Sequence, residues 1–319
     1  MIFWIASYPK SGNTWLRTII SSYYYSKDGV YTKNLINRIG QFPEKRHFES
    51  FPYDSKSVIG TTDFWIKAQE EINKDKKLHF FKTHNVYGKI NENSFTNKDN
   101  SLGCVYIVRD PRNVITSICN HYELNYIESF AWMTNHKKYI YDNSGSQDYG
   151  NFQFISSWSN NYKSWKIQKD IPVKIIRYED LLEKTYVVTK EVIKFINKVA
   201  KINENLNNDK LKNSVNSTLF ETLQKKEKQE GFSEAILSKK TNKMIPFFYT
   251  SFLPKIEEKE DLKFDVNSII LTNDFEIQNK VEKIEKCKNI YSTYPKNIVS
   301  INPNWKNKKI NWYLNYCQK

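Results

Sequence analysis

Ile2-Phe3-Trp4-Ile5-Ala6-Ser7-Tyr8-Pro9-Lys10-Ser11-Gly12-Asn13-Thr14-Trp15-Leu16-Arg17 opens the chain and changes its hydrophobic period midway. Ile2 to Ser7 is a short apolar run of β-branched and aromatic side chains, which predicts a buried strand. Tyr8 and Pro9 stop it. From Asn13 onward, Trp15, Leu16, Ile19, Ile20 and Tyr23 recur at helical spacing. The loop between, Pro9 to Thr14, holds one Gly for close backbone approach, hydroxyls and one Lys, and it opens directly into a helix N-terminus. Orphan backbone N–H groups, the positive end of a helix dipole and a cation together make a phosphate cradle. It is not a Walker A loop, whose Lys follows its second Gly. Here Lys10 precedes Gly12.

Composition sets the outer bounds. At 319 residues the chain is long enough for one large domain or one domain with an appendage. A hydrophobic fraction of 39% and an aromatic fraction of 15% suffice for a real core. Lys and Arg outnumber Asp and Glu by 49 to 35, giving a net charge of +14, which favours phosphorylated or polyanionic ligands. The basic residues are interleaved with acids, as in Lys225-Lys226-Glu227-Lys228, so a solvated surface is preferred to nucleic-acid binding. Cys104, Cys119, Cys287 and Cys317 are scattered, with no metal-ligand spacing. They are read as reduced thiols of a cytoplasmic protein. No signal peptide is expected, because the first strand is read as beginning at Ile2 with no basic stretch before it, and no apolar stretch approaches the ~18 residues of a membrane span. The Lys-, Asn- and Ile-rich composition points to an AT-rich, bacterial genome.

Further along, Thr62 is expected to cap a helix with Phe64, Trp65, Ala68 and Ile72 on one face. Leu78 to His84 reads as a second strand that ends in polar residues. Ligands of open α/β sheets sit beyond the carboxyl ends of the strands. Lys82 and His84, two apart in an extended segment, point the same way. Gly103 to Val108 predicts a third strand. Arg109-Asp110-Pro111-Arg112-Asn113-Val114 follows it, with Pro111 suited to a first helical turn. Glu123 to Lys138 and Phe152 to Lys169 are expected to be helical, separated by a loop over Tyr139 to Gly150. The stripe Phe154, Ile155, Trp158, Tyr162, Trp165 is read as core. Pro172 to Arg177 predicts a fourth strand, followed by Tyr178-Glu179-Asp180-Leu181 and a long helix to about Lys198.

The order Pro9-Lys10-Ser11-Gly12-Asn13-Thr14-Trp15 resembles the 5′-phosphosulfate loop of sulfotransferases that use 3′-phosphoadenylyl sulfate (PAPS). Lys82-Thr83-His84 resembles the K-T-H segment of cytosolic sulfotransferases, and R-D-P-R-N-V-x-x-S from Arg109 to Ser117 resembles their 3′-phosphate motif. Ser217-Thr218-Leu219-Phe220-Glu221 is similar to the segment that closes on the adenine. The resemblance runs from Ile2 to about Phe248. It implies a P-loop-NTPase-like, three-layer α/β fold with a parallel sheet of four or five strands flanked by helices. It implies PAPS as co-substrate, no metal, and transfer to a hydroxyl or amine of a small-molecule, glycan or lipid acceptor. On the same resemblance Lys10, Ser11, Gly12, Asn13 and Thr14 hold the 5′-phosphosulfate, and Arg109 and Ser117 the 3′-phosphate. Tyr178 meets the adenine, Thr218 bonds a ring nitrogen, and Phe220 stacks opposite Trp15. His84 is the base, chemically apt because imidazole can remove a proton near neutral pH, and Lys82 steadies the sulfuryl oxygens.

The resemblance breaks near the C-terminus. The family continues with F-F-R-x-G or R-K-G-x-x-G-x-W, whereas here Pro246-Phe247-Phe248-Tyr249-Thr250 has neither Arg nor Gly after Phe248. The expected division is therefore a sulfotransferase domain over 1–250 and a divergent segment over 251–319. Asn302-Pro303-Asn304-Trp305-Lys306-Asn307 resembles the family's G-D-W-K-N. Displacement by an insertion, with Lys296 replacing the missing Arg, a divergent appendage and a shifted reading frame all stay open. So do a nucleotide-binding relative without transfer, a nucleotide-dependent phosphotransferase, and a second copy of the chain as partner.

Overall fold

The computed structural model describes residues 1–141, 148–232, 234–238 and 241–248, all within the unit Met1–Leu253. The expected strand at Ser268 to Leu271, the helix at Glu276 to Lys288, Lys296 and the segment 251–319 as a whole lie outside the described residues, as do 142–147 of the expected loop.

Five parallel strands form the central sheet: β1 (Ile2–Ser7), β2 (Gly40–Gln41), β3 (His79–Thr83), β4 (Ser101–Val108) and β5 (Val173–Arg177), in the spatial order β2-β3-β1-β4-β5. The hydrophobic run of β1 has no polar alternation because both of its faces are covered. Phe3 and Ile5 face a layer made by α1 (Asn13–Tyr25) and two later helices, meeting Leu16, Ile19, Ile20, Val192 and Ile196. Trp4 faces the other way, its ring 5.1 Å from Phe95 and 5.8 Å from Phe42, with Nε1 donating to Ser101 Oγ at 2.7 Å. These are the three layers the sequence implied.

The remaining helices are α2 (Trp65–Asn73), α3 (Pro111–Tyr122), α4 (Tyr126–Thr134), α5 (Trp158–Ile167), α6 (Tyr178–Glu183), α7 (Thr185–Val199), α8 (Asn208–Ser217) and α9 (Phe220–Glu230). Several differ from their expected bounds. Thr62 begins a 3₁₀ turn, its hydroxyl donating to Ile59 O at 2.8 Å, and is not the cap of α2. The helix expected from Glu123 starts at Tyr126, because Asn125 and Glu128 form a reciprocal capping box. The helix expected from Phe152 starts only at Trp158. Gln153–Phe154 pairs instead with Tyr139–Ile140, and Ser156, at φ 54°, leaves the right-handed helical backbone before Ser157 caps α5. Trp158, Tyr162 and Trp165 are nonetheless core, as expected. The long helix after β5 is broken at Lys184 (φ −131°) into α6 and α7, a kink with no Gly or Pro to announce it.

From β1 the chain runs to β2 and β3 on one side, and from β3 it crosses over β1 to β4 on the other. Such a switch point opens a crevice at the carboxyl ends of the strands.

Candidate active site

Every strand end at this crevice contributes a residue. Beyond β1 the loop turns sharply: Lys10 has φ 65° and Gly12 φ 98°. A Cβ at Gly12 would lie 2.5 Å from Cδ2 of Tyr178, so the ring rests directly on the loop backbone. Asn13 fastens the loop from beneath, its Nδ2 donating to Ile5 O at 2.9 Å and Ser7 Oγ at 3.2 Å. Ser11 Oγ is buried and finds no hydrogen-bond partner among the described residues.

From the end of β4, Arg109 donates to Lys10 O at 3.1 Å and stacks over the Tyr178 ring at 4.3 Å. Its Nε is buried without a partner among the described residues. Ser117 lies half-buried on α3, two turns inward. Tyr178, at the end of β5, meets Trp15 edge to face at 5.7 Å. Trp15 and Phe220, expected on opposite sides of the adenine, lie close together. Their rings are 6.2 Å apart at 75°, an edge contact, the geometry aromatic quadrupoles prefer. Thr218 differs too. It is wholly buried, its hydroxyl donates to Ser214 O at 2.6 Å, and its carbonyl accepts from Trp15 Nε1 at 2.7 Å. A threonine at a helix C-terminus readily bonds the carbonyl four residues back, and this one is turned into its own helix.

The other end of the crevice holds His84. The parallel register pairs Ala6 with Thr83, so the next residues, Ser7 and His84, lie side by side. His84 Nδ1 is 2.8 Å from Ser7 O and 3.2 Å from Ser7 Oγ. A carbonyl only accepts, so Nδ1 carries the proton and Nε2 the lone pair. Burial, then the neighbouring Lys82 charge, push the imidazole down to about 3. Burial likewise lowers Lys82 and brings Lys10 down to about 8, with the charges of Arg109 and Lys82 adding to the effect and that of Glu234 opposing it. The Lys10 ammonium sits over the Phe247 ring at 4.2 Å.

Two residues to which sequence reading gave no role join these. Glu234 accepts from Thr14 Oγ1 at 2.7 Å, Arg17 Nη2 at 2.6 Å and Lys82 Nζ at 3.2 Å. Burial raises its carboxyl, but the Lys82 and Arg17 charges and these hydrogen bonds outweigh that and hold it well below the usual carboxylate range. Arg17 had one signal in the sequence, its position one turn after Thr14 on the same face of α1. Glu234 had none. Arg17, Lys82 and Glu234 form the inner end of a cleft of about 840 Å³, which Gln41, Arg46, Trp132, Lys138, Tyr139 and Gln153 also line. Gln153 reaches back to accept from the His84 amide at 2.8 Å.

Among the described residues no three His, Cys, Asp or Glu lie close enough to hold a metal ion, and no helix is long and apolar enough to cross a membrane. Cys104 and Cys119 are free thiols.

A family model described as Sulfotransferase domain matches residues 2–259. The chain is 25% identical over 224 residues to Sulfotransferase 1B1 of Canis lupus familiaris, covering 69% of this chain and 64% of that one. It is 24% identical over 249 residues to Luciferin sulfotransferase of Photinus pyralis (76% and 61%). It is 23% identical over 230 residues to Cytosolic sulfotransferase 13 of Arabidopsis thaliana (71% and 63%). The chain thus spans less than two thirds of the length of these relatives. Among solved structures it is similar to retinol dehydratase in complex with retinol and PAP, at 16% identity and a TM-score of 0.45, covering 92% of this chain and 83% of that chain.

Proposed function

The chain belongs to the sulfotransferase domain family, and on that premise we propose that it transfers the sulfuryl group of PAPS to a hydroxyl or amine acceptor. One observation supports this most: the β1–α1 loop and the end of β4 bring Lys10, Ser11 and Arg109 together, with Ser11 Oγ and Arg109 Nε buried and unpartnered among the described residues. Buried polar atoms without partners cost free energy unless a ligand supplies the bond. Phosphates on the 3′ and 5′ oxygens of one adenosine ribose would supply them.

In this reading Lys10 and the backbone amides of Ser11 to Thr14 hold the 5′-phosphosulfate. Arg109 and Ser117 hold the 3′-phosphate, while Trp15, Tyr178 and Phe220 frame the adenine. His84 Nε2 takes the acceptor proton as the acceptor oxygen or nitrogen bonds to sulfur. The bond from sulfur to the bridging oxygen breaks in line, and Lys10 neutralises the charge that grows on that oxygen. Lys82 steadies the sulfuryl oxygens. No covalent enzyme intermediate is required. The acceptor enters through the cleft beside Lys82.

The test begins with calorimetric titration of adenosine 3′,5′-bisphosphate (PAP) beside adenosine 5′-phosphosulfate, which lacks the 3′-phosphate. Tight binding of the first and a large loss for the second are expected. Transfer of ³⁵S from PAPS to an acceptor panel, lowered by ~10²-fold or more in His84→Ala, completes it. PAP binding without transfer to any acceptor would favour a nucleotide-binding relative. Metal-dependent turnover with ATP would favour a phosphotransferase.

A further inference from the structure

At the inner end of the cleft, three donors converge on one carboxylate. Thr14 and Arg17 come from α1 and Lys82 from β3, elements fixed in the core. Glu234 lies between Gly231, at φ 68°, and the two-residue strand Ile236–Leu237. The donors thus sit on the central sheet and its first helix, whereas the group they hold lies just before a separate two-stranded sheet. The Arg17 side chain is only 5% exposed, and its Nε is buried without a partner among the described residues. Two cations against one carboxylate leave a positive excess among side chains only 5% to 24% exposed, where charge interactions are stronger than in bulk water. The separations, 2.6 to 3.2 Å, belong to charge-assisted hydrogen bonds, which suit any oxyanion.

We infer that Thr14, Arg17 and Lys82 form an oxyanion subsite which the chain's own Glu234 occupies until the oxygens of a ligand replace it. The inference rests on the sulfotransfer reading, which puts Lys82 at the reacting end. The ligand chemistry is a singly charged oxyanion, with two sources: the sulfuryl group of the donor, or an acidic substituent on the acceptor. In either case Arg17 becomes a ligand-binding residue beyond those the sequence motifs supply, and Glu234 must swing out with its loop.

The experiment compares the full chain with Glu234→Gln, which keeps the shape and removes the competing charge. Both are titrated with PAP and with PAPS. Their PAP complexes are titrated with 4-hydroxyphenylacetate and with its uncharged counterpart 4-ethylphenol. If the sulfuryl group is the occupant, PAPS binds the variant about tenfold tighter or more, while PAP, which lacks that group, is unchanged. If the occupant is an acceptor's acid group, the hydroxyphenylacetate gains and the ethylphenol does not. If neither anion gains, Glu234 is a fixed ion-pair partner and the inference is overturned. Should the variant not fold, hydrogen exchange on the unaltered chain decides. Amides from Glu234 to Ser238 exchange faster with the displacing anion than with PAP, and equal exchange under every ligand overturns the inference. PAP binding preserved throughout leaves the sulfotransfer reading standing whichever way the anions behave. Absence of PAP binding removes both.

Discussion

Gly12→Ala tests the loop and the adenine wall at once. At φ 98° the backbone is left-handed, which costs a residue with a Cβ ~1–2 kcal/mol. The new methyl would lie 2.5 Å from Tyr178 Cδ2, 3.0 Å from Cε2 and 3.2 Å from Ile107 Cδ1. Ile107 belongs to β4, an interior strand of the sheet, and cannot retreat, so the Tyr178 ring must move. Overpacking of this kind costs ~1–3 kcal/mol. The two effects together destabilise by about 2–5 kcal/mol, a lowering of Tm by roughly 4–20 °C for a domain of this size. Tyr178 also carries the Arg109 guanidinium 4.3 Å above its face, so PAP affinity falls with stability. Urea unfolding gives the first quantity and calorimetry on the folded variant the second. An Ala variant within ~0.5 kcal/mol of the parent, binding PAP unchanged, would refute the reasoning for both.

Other outcomes follow from the same geometry. His84→Ala leaves PAP binding intact and lowers turnover by ~10²-fold or more; full turnover would remove His84 from the mechanism. Because the free imidazole titrates near 3, it stays neutral from pH 8 down to pH 5, and kcat/KM shows no acid limb near the ordinary histidine value. An inflection at about 6.5 would contradict that environment. Lys10 titrates near 8 in the free protein, and a phosphate bound beside it raises it. PAP affinity therefore falls as pH rises above 8 toward the bound value, a fall that Lys10→Arg flattens in pH-series calorimetry. Arg109→Ala removes charge-assisted bonds worth ~1.5–3 kcal/mol. PAP should bind ~10- to 150-fold more weakly, with adenosine 5′-phosphate much less affected.

The first strand, the phosphate loop and the first helix could be read in advance because each rests on local chemistry. An unbroken apolar run gives way to period 3.6 across a Pro and a Gly, and Asn13 begins α1 as expected. Helix starts set by long-range pairing were not legible. Nothing near Phe152 reveals that Gln153 and Phe154 will pair with Tyr139 and Ile140. The motifs named Lys10, Lys82 and His84, and their proximity follows from the β1–β3 register. Glu234 was beyond sequence reading, since it reaches Thr14 across 220 positions and no spacing rule relates them. Thr218 shows the limit of a motif: its hydroxyl donates to Ser214 O at 2.6 Å, a contact that its place in the motif does not announce.

The centrality of β1 has a cost at synthesis. Its six residues are wholly buried, yet its β3 partner begins at His79 and its β4 partner at Ser101. A ribosome adding ~5–20 residues per second leaves this strand without its second neighbour for roughly 5–20 seconds. During that interval an uncharged β-prone hexapeptide, of the composition that favours cross-β stacking, is available to other nascent chains. Slow or crowded expression should therefore lose material through this strand, and a folding helper that sequesters its first dozen residues should recover it.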